Sequence, residues 1–276
     1  MAAGTISDLL AARLTDGRFR VADVDPQSTP GLKSRHRAKL DLEKHKRALF
    51  GLQERLYAEH KRSLLIVLQA MDTGGKDGTV THVIGNLNPQ AVLVSAFKPP
   101  TPAERRHNFL WRIRKRLPPA GYIGIFNRSH YEEVLIARVR NLAPADVIER
   151  RYGQINNFEQ GLMRSGTRVI KLMLHISYEE QRKRLLERLK NPDKHWKFTE
   201  KDIDERAYWD EYMSAYSIAI TRCSTHSAPW YVVPADDKEY RNWAVASILI
   251  ETLEEMDPRY PRPKLDIPRL VKRLNA

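Results

Sequence analysis

The sequence predicts an α/β protein built on an open, doubly wound parallel sheet of about five strands. Three observations predict it. Short unbroken apolar runs recur along the chain, helical stretches separate them, and a glycine-rich turn with a lysine follows the first run. That first run is SLLIVLQA, residues 63–70. Unbroken rather than alternating apolarity marks a strand buried on both faces. AVLVSAF (91–97), YIGIF (122–126), VIKLMLHI (169–176) and WYVV (230–233) are the further strand candidates. Strands alternating with helices form βαβ units, hence a parallel sheet with ligands at the C-terminal strand ends.

Residues 1–34 read as an extension, punctuated by Asp23, Pro26, Ser28, Pro30 and Gly31. Residues 35–276 read as one domain. It opens with a basic helix in which Leu42, Leu49, Leu52 and Leu56 recur at helical spacing. Ser177-Tyr-Glu-Glu180 predicts a capping box at the start of another basic helix, and Thr199 to Asp202 a looser start for the next. Along that last helix Trp209, Met213, Tyr216 and Ile220 form a stripe suited to core packing. NPDKHWKF (191–198), between the two helices, is too polar and short for a core.

Composition narrows the function classes. Lys and Arg number 47 against 34 Asp and Glu, a net charge of +13 that attracts polyanions such as nucleic acid, anionic lipid or a phosphate-rich substrate. The single cysteine, Cys223, excludes an internal disulfide and argues against a cysteine-based metal site. The N-terminus has no signal-peptide apolar core, and no stretch approaches the roughly 18–20 apolar residues of a membrane span. The expectation is a cytoplasmic protein without a membrane partner.

The chemistry concentrates in AMDTGGKDGT (70–79). Gly74, Gly75 and Gly78 let the backbone turn tightly and approach a ligand, and Lys76 brings a cation where a helix begins. Strand, glycine-rich turn, lysine and helix form a phosphate cradle. The match to G-x-x-x-x-G-K-[ST] is incomplete, since Ala70 replaces the first glycine and Asp77 the hydroxyl residue. Asp72 and Asp77 would repel phosphate unless a hard cation intervened. Asp72 is therefore the candidate magnesium ligand, or it orients the attacking phosphate oxygen. Asp77 is also favourable simply as an acid in a helix's first turn. At the end of a later strand, Asn127 and Arg128 occupy the position where a second acid would commonly stand. A guanidinium there can grip phosphate oxygens bidentately. Ser129 reads as a helix cap, with His130, Tyr131 and Glu132 in the first turn. His82, His107, His130 and His175 show no triad partner.

AMDTGGKDGT, SAFKPPTPAERRHNFLWRIRKRLPPAG, FNRSHYEEVL, NPDKHWKF and WDEYMSAYSIAITRCSTHSAPWYVV, taken in order, resemble the polyphosphate kinase 2 family over roughly residues 35–260. The resemblance implies a P-loop kinase-like, three-layer α/β/α sandwich with a helical lid at about residues 182–201. It implies reversible, Mg²⁺- (or Mn²⁺-) dependent transfer between inorganic polyphosphate and nucleotides. ADP to ATP is the principal reaction, with AMP and GDP as open acceptor choices, in a homodimer or homotetramer. Carried over residue by residue, the catalytic set is Asp72, Lys76 and Arg128, with Asp72 on the metal. The resemblance places Lys98 near the phosphate chain, and Gly74, Gly75, Asp77, Gly78 and Thr79, read from the loop itself, complete the expected phosphate-binding set. Arg184, Arg188, Lys194 and Lys197 would grip phosphate from the lid. Many members have Asp-Arg-Ser followed by Trp-Tyr-Asn in the second motif. The present Asn-Arg-Ser-His-Tyr-Glu resembles a subgroup accepting nucleoside mono- and diphosphates. It also makes residue 127 a poor direct metal ligand.

Two other readings share part of this evidence. An ATP-dependent nucleoside monophosphate kinase would share sheet, loop and lid but keep the hydroxyl after the lysine. A nucleic-acid-binding module would share the charge, yet no recognition helix, zinc pattern or RNP motif is present.

Overall fold

The computed structural model describes residues 4–276, with Arg35 described by its backbone only. Along the chain, α1 (Ile6–Leu10) and α2 (Arg35–Glu59) precede β1 (Ser63–Gln69), and α3 (Lys76–His82) leads to β2 (Val92–Ala96). Short helices α4 (Pro102–Arg105) and α5 (Trp111–Arg114) precede β3 (Ile123–Asn127), and α6 (Ile136–Val139) and α7 (Ala145–Arg164) lead to β4 (Thr167–His175). Helices α8 (Tyr178–Lys190), α9 (Lys201–Arg206) and α10 (Trp209–Cys223) precede β5 (Trp230–Pro234). The long α11 (Lys238–Met256) and the short α12 (Ile267–Leu274) follow.

Each expected apolar run forms a strand. All four neighbouring pairs are parallel, in the order β2-β3-β1-β4-β5. Strand β1 is central and buried along its whole length. Leu64, Ile66 and Leu68 enter one core with residues of α2 and α11, while Leu65 and Val67 enter a second core with residues of α7 and α10. This two-sided burial is why the run carries no polar alternation. It also makes the fold the expected three-layer sandwich. At the edge, β2 departs from the pattern. It has a neighbour on the β3 side only, and Leu93 and Val94 are exposed.

Two local expectations about helix starts are revised, and the segment before α2, expected as an extension, packs on the sheet. Glu251 of α11 accepts from Ile6 N (2.9 Å) and Ser7 N (2.8 Å), Ala12 N donates to Trp230 O (2.8 Å), and Ala11 bridges Tyr231 antiparallel. It thereby lies against β5, whose outer edge would otherwise present unpaired backbone groups. The capping box of α8 is only half formed. Ser177 Oγ accepts from Glu180 N (3.1 Å), but Ser177 N donates to Asp236 Oδ1 (2.7 Å), leaving Glu180 to pair with Arg184. The helix expected from Thr199 onward is broken at Ala207–Tyr208 into α9 and α10. The aromatic stripe on α10 does pack: Tyr216 and Ile220 are buried, and Trp209 and Met213 lean on the cores. Among the described residues, no helix is long and apolar enough to cross a membrane.

Candidate active site

The chain moves from β1 out to the β2 edge, returns to β3, then crosses to β4 and β5. The loops after β1 and β3 therefore leave adjacent strands at the C-terminal end of the sheet, where open α/β folds bind ligands.

The β1 loop is wound tightly. Thr73 and Gly75 have left-handed backbones (φ 63° and 104°), and Gly75 is the N-cap of α3. At Gly74 a Cβ would meet Ala70 Cβ at 2.5 Å and Met71 O at 2.8 Å, so glycine is required there. Lys76 folds back over the loop, with Nζ donating to Ala70 O (2.7 Å) and Met71 O (3.3 Å). Burial lowers its pKa, and Asp72 offsets part of that effect. The loop is also pinned from α8, because Gln181 Nε2 donates to Asp72 O (3.1 Å) and Arg184 Nη1 to Thr73 O (3.0 Å).

The β3 loop is tied to the β1 loop. Arg128 N donates to Leu68 O (3.1 Å), and Arg128 itself is left-handed at φ 61°. Arg128 Nη2 meets Asp72 Oδ1 at 2.9 Å, and Asn127 Nδ2 donates to Asp77 Oδ1 at 2.8 Å. Both acids of the β1 loop thus find their partners in the β3 loop. Glu132 lies on the same side. Burial raises its pKa, while Arg128 and Lys76 draw it back. The Gln69 amide, oriented to satisfy both ends, donates to Glu132 Oε1 (3.0 Å) and accepts from Ser129 Oγ (3.1 Å).

Under the second motif lies a fully buried polar floor. Glu159 of α7 accepts from Tyr131 Oη (2.9 Å), faces His130 Nε2 (3.1 Å) and is ion-paired to Lys171 of β4. Lys171 Nζ also donates to Cys223 O (2.7 Å). Burial would push the Glu159 carboxyl up, but Lys171 and His130 outweigh it, and the group stays below its ordinary value. His130 is therefore structural, bracing the turn that carries Arg128.

The remaining expected residues fall in different places. Lys98 is exposed at a cleft of about 710 Å³, which Phe97, Phe109, Arg112, Arg128 and Glu132 also line. Thr79 is buried, and its Oγ1 has no hydrogen-bond partner among the described residues. Gly78 packs against Arg241 of α11. Lys194 and Lys197 sit on an exposed 3₁₀ turn, Pro192–Lys197, whose Trp196 is 78% exposed. Arg188 fastens this turn through Nη1 to Lys197 O (3.0 Å). Arg184 is different from the other lid candidates. It is 5% exposed and spends its guanidinium on Glu180, Thr73 O, Ala235 O and Asp236 O, so it braces the loop instead of gripping from the lid.

Sequence reasoning missed Gln181, Arg241, the charge position of Glu132 and the Glu159–Lys171 pair. Only the last left a clear signal. A lysine inside the apolar run VIKLMLHI demands a buried acid, since an isolated buried charge is prohibitively unfavourable.

The family model described as polyphosphate kinase 2 matches residues 32–261. The chain belongs to the polyphosphate kinase 2 family. Among curated members, the AMP/ADP-polyphosphate phosphotransferase of Meiothermus ruber is 48% identical over 257 residues, covering 93% of this chain and 96% of that protein. The ADP-polyphosphate phosphotransferase of Rhodopseudomonas palustris is 44% identical over 225 residues, covering 77% and 78%. The crystal structure of polyphosphate kinase 2 from Arthrobacter aurescens superimposes with a TM-score of 0.95 at 45% identity, covering 99% of this chain and 97% of that one. The sandwich described above is thus a family architecture.

Proposed function

We propose that this protein transfers a phosphoryl group between inorganic polyphosphate and a nucleoside phosphate at the C-terminal ends of β1 and β3. One observation carries the reading. In a polyphosphate kinase 2 chain, the phosphate loop and the second motif converge, with Asp72 and Arg128 in contact at 2.9 Å.

Phosphoryl transfer asks for in-line positioning and cancellation of charge on the moving group. The Gly74–Thr79 turn and Lys76 hold phosphate on the β1 side. Arg128 grips the transferred group from the β3 side, aimed by its left-handed backbone and by the floor under His130 and Tyr131. The nucleotide lies in the cleft between Phe97 and Arg128, with Lys98 at its mouth. Arg188, Lys194 and Lys197 bring the lid turn down over polyphosphate and exclude water, favouring transfer over hydrolysis.

The donor set fits Mg²⁺ (or Mn²⁺) bound together with substrate. Among the described residues no cluster of three or more His, Cys, Asp or Glu forms a ready-made cage. Magnesium in kinase sites instead uses one or two carboxylates plus phosphate oxygens and water. Asp72 would hold it, Arg128 engaging only its Oδ1. The ion, when bound, neutralises charge on the phosphate oxygens. Asp77 is committed to Asn127, which assigns it to loop tethering.

The Asn-Arg-Ser-His-Tyr-Glu motif and the 48% identity to an AMP/ADP-polyphosphate phosphotransferase support both AMP and ADP as acceptors, with guanine nucleotides as further candidates. Family membership supports a homodimer or homotetramer, measurable by light scattering, and a cytoplasmic setting. The decisive assay supplies polyphosphate, Mg²⁺ and ADP or AMP, with no other donor. Wild type should form ATP and ADP respectively, and Lys76→Ala should lose at least about 10²-fold in turnover with an unchanged circular dichroism spectrum. Equal turnover by both proteins would put the site elsewhere.

A further inference from the structure

The phosphate loop is backed by a cation to which the transfer reaction assigns no role. Arg241, near the start of α11, is 3% exposed. Its guanidinium lies directly against the loop backbone. A Cβ at Gly75 would sit 2.0 Å from Arg241 Nη1, and one at Gly78 would sit 3.0 Å from Nη2. Gly75 and Gly78 bracket Lys76 and Asp77, so the guanidinium occupies the space that side chains would otherwise fill behind this turn.

The hydrogen bonds of the Arg241 guanidinium go to a neutral group. Nε and Nη2 both donate to Asn242 Oδ1 (3.2 and 2.8 Å), an uncharged acceptor. Among the described residues no carboxylate forms an ion pair with it. Burial lowers its pKa to about 10, and the second buried guanidinium, Arg184, pushes in the same direction while Asp237 opposes. At neutral pH the group is still charged. A buried charge without an ion-paired carboxylate costs several kcal/mol, and a methionine or leucine would fill the same volume without that cost. The expense is offset if an anion binds within range. Glycine at 75 and 78 leaves only backbone between the guanidinium and the front of the loop, and Coulomb attraction through such a wall is weakly screened.

We propose that Arg241 is a positioning residue of the phosphate site: it supports the Gly75–Gly78 backbone from behind and supplies fixed positive charge to the polyphosphate bound in front. Asn242 orients it, and the glycines admit it. This rests on the reading that the 70–79 loop holds phosphate.

The test compares wild type, Arg241→Met, Arg241→Ala, Arg241→Lys and Lys76→Ala. Tripolyphosphate binding is read by calorimetry, and KM for polyphosphate and for ADP is read separately. Arg241→Met should keep the wild-type circular dichroism spectrum, weaken tripolyphosphate binding about tenfold and raise KM for polyphosphate by a similar factor. KM for ADP should stay within about twofold. In Arg241→Ala, where truncation leaves a cavity, added guanidinium at millimolar concentration should restore part of the loss, which a mere packing defect would not allow. Arg241→Lys should fall between wild type and Arg241→Met. Wild-type binding by Arg241→Met, or equal rises in both KM values without guanidinium rescue of Arg241→Ala, would overturn the proposal. Should Arg241→Met not fold, Arg241→Lys against Arg241→Gln makes the same comparison of charge kept and charge lost. Unchanged binding in Lys76→Ala would instead remove the loop reading itself. Weakened binding in Lys76→Ala with none in Arg241→Met sinks only the role of Arg241.

Discussion

Asp72 and Arg128 hold each other across two loops, with side chains 30% and 39% exposed. A pair that accessible contributes at most about 1 kcal/mol to stability, so its value lies in what replaces it when substrate arrives. Asp72→Asn should therefore cut turnover by about 10²-fold or more and leave the melting temperature nearly unchanged; full activity would reject a role for the acid in transfer. Lys171 and Glu159 are the reverse case, fully buried and remote from solvent. Lys171→Met should destabilise the fold by about 3–5 kcal/mol in urea titrations, because it leaves Glu159 buried without its cation. The Glu159 carboxyl is held below its ordinary value, so its contribution is present above the unfolded pKa of about 4.3. That contribution is lost as pH falls through the folded value. Glu159→Gln should accordingly flatten the acid limb of the stability profile. Burial itself lowers His175, which adds a loss of stability as pH falls below its unfolded value of about 6.5.

At the level of elements, strand positions were legible within a residue or two because burial on both faces leaves no polar alternation. Helix starts were less legible. Ser177 looked like half of a reciprocal capping box, but Asp236, 59 residues away, takes its N–H. Thr199 looked like the start of one helix, yet the chain breaks at Ala207–Tyr208. The same tertiary competition moved Arg184 from the lid to the loop, since Ala235 O, Asp236 O and Thr73 O all needed a donor. Arg188 is the residue of that helix which reaches the Pro192–Lys197 turn. Arg188→Ala should raise KM for polyphosphate several-fold by loosening the Pro192–Lys197 turn, with a stability change within about 0.5 kcal/mol. An unchanged KM would separate that turn from polyphosphate binding.

Over the whole molecule, the net charge of +13 matters because the substrate is a chain of anions. KM for long polyphosphate should rise steeply between about 50 and about 200 mM salt, and more than KM for ADP, since each contact displaced by salt counts once per phosphate. Equal salt dependence would assign the surface charge no steering role. Sequence alone determined the sheet and the glycine-rich turn that follows its first strand, because these rest on local patterns: apolar runs, glycines at a turn, and a lysine at a helix start. Only the tertiary structure decided which acid meets which partner. Asp72 faces Arg128 across 56 positions and Asp77 faces Asn127 across 50, distances that no local pattern spans. It also set Arg241 behind Gly75, where packing of α11 against the 70–79 loop, and not any spacing in the chain, brings a charge to that turn.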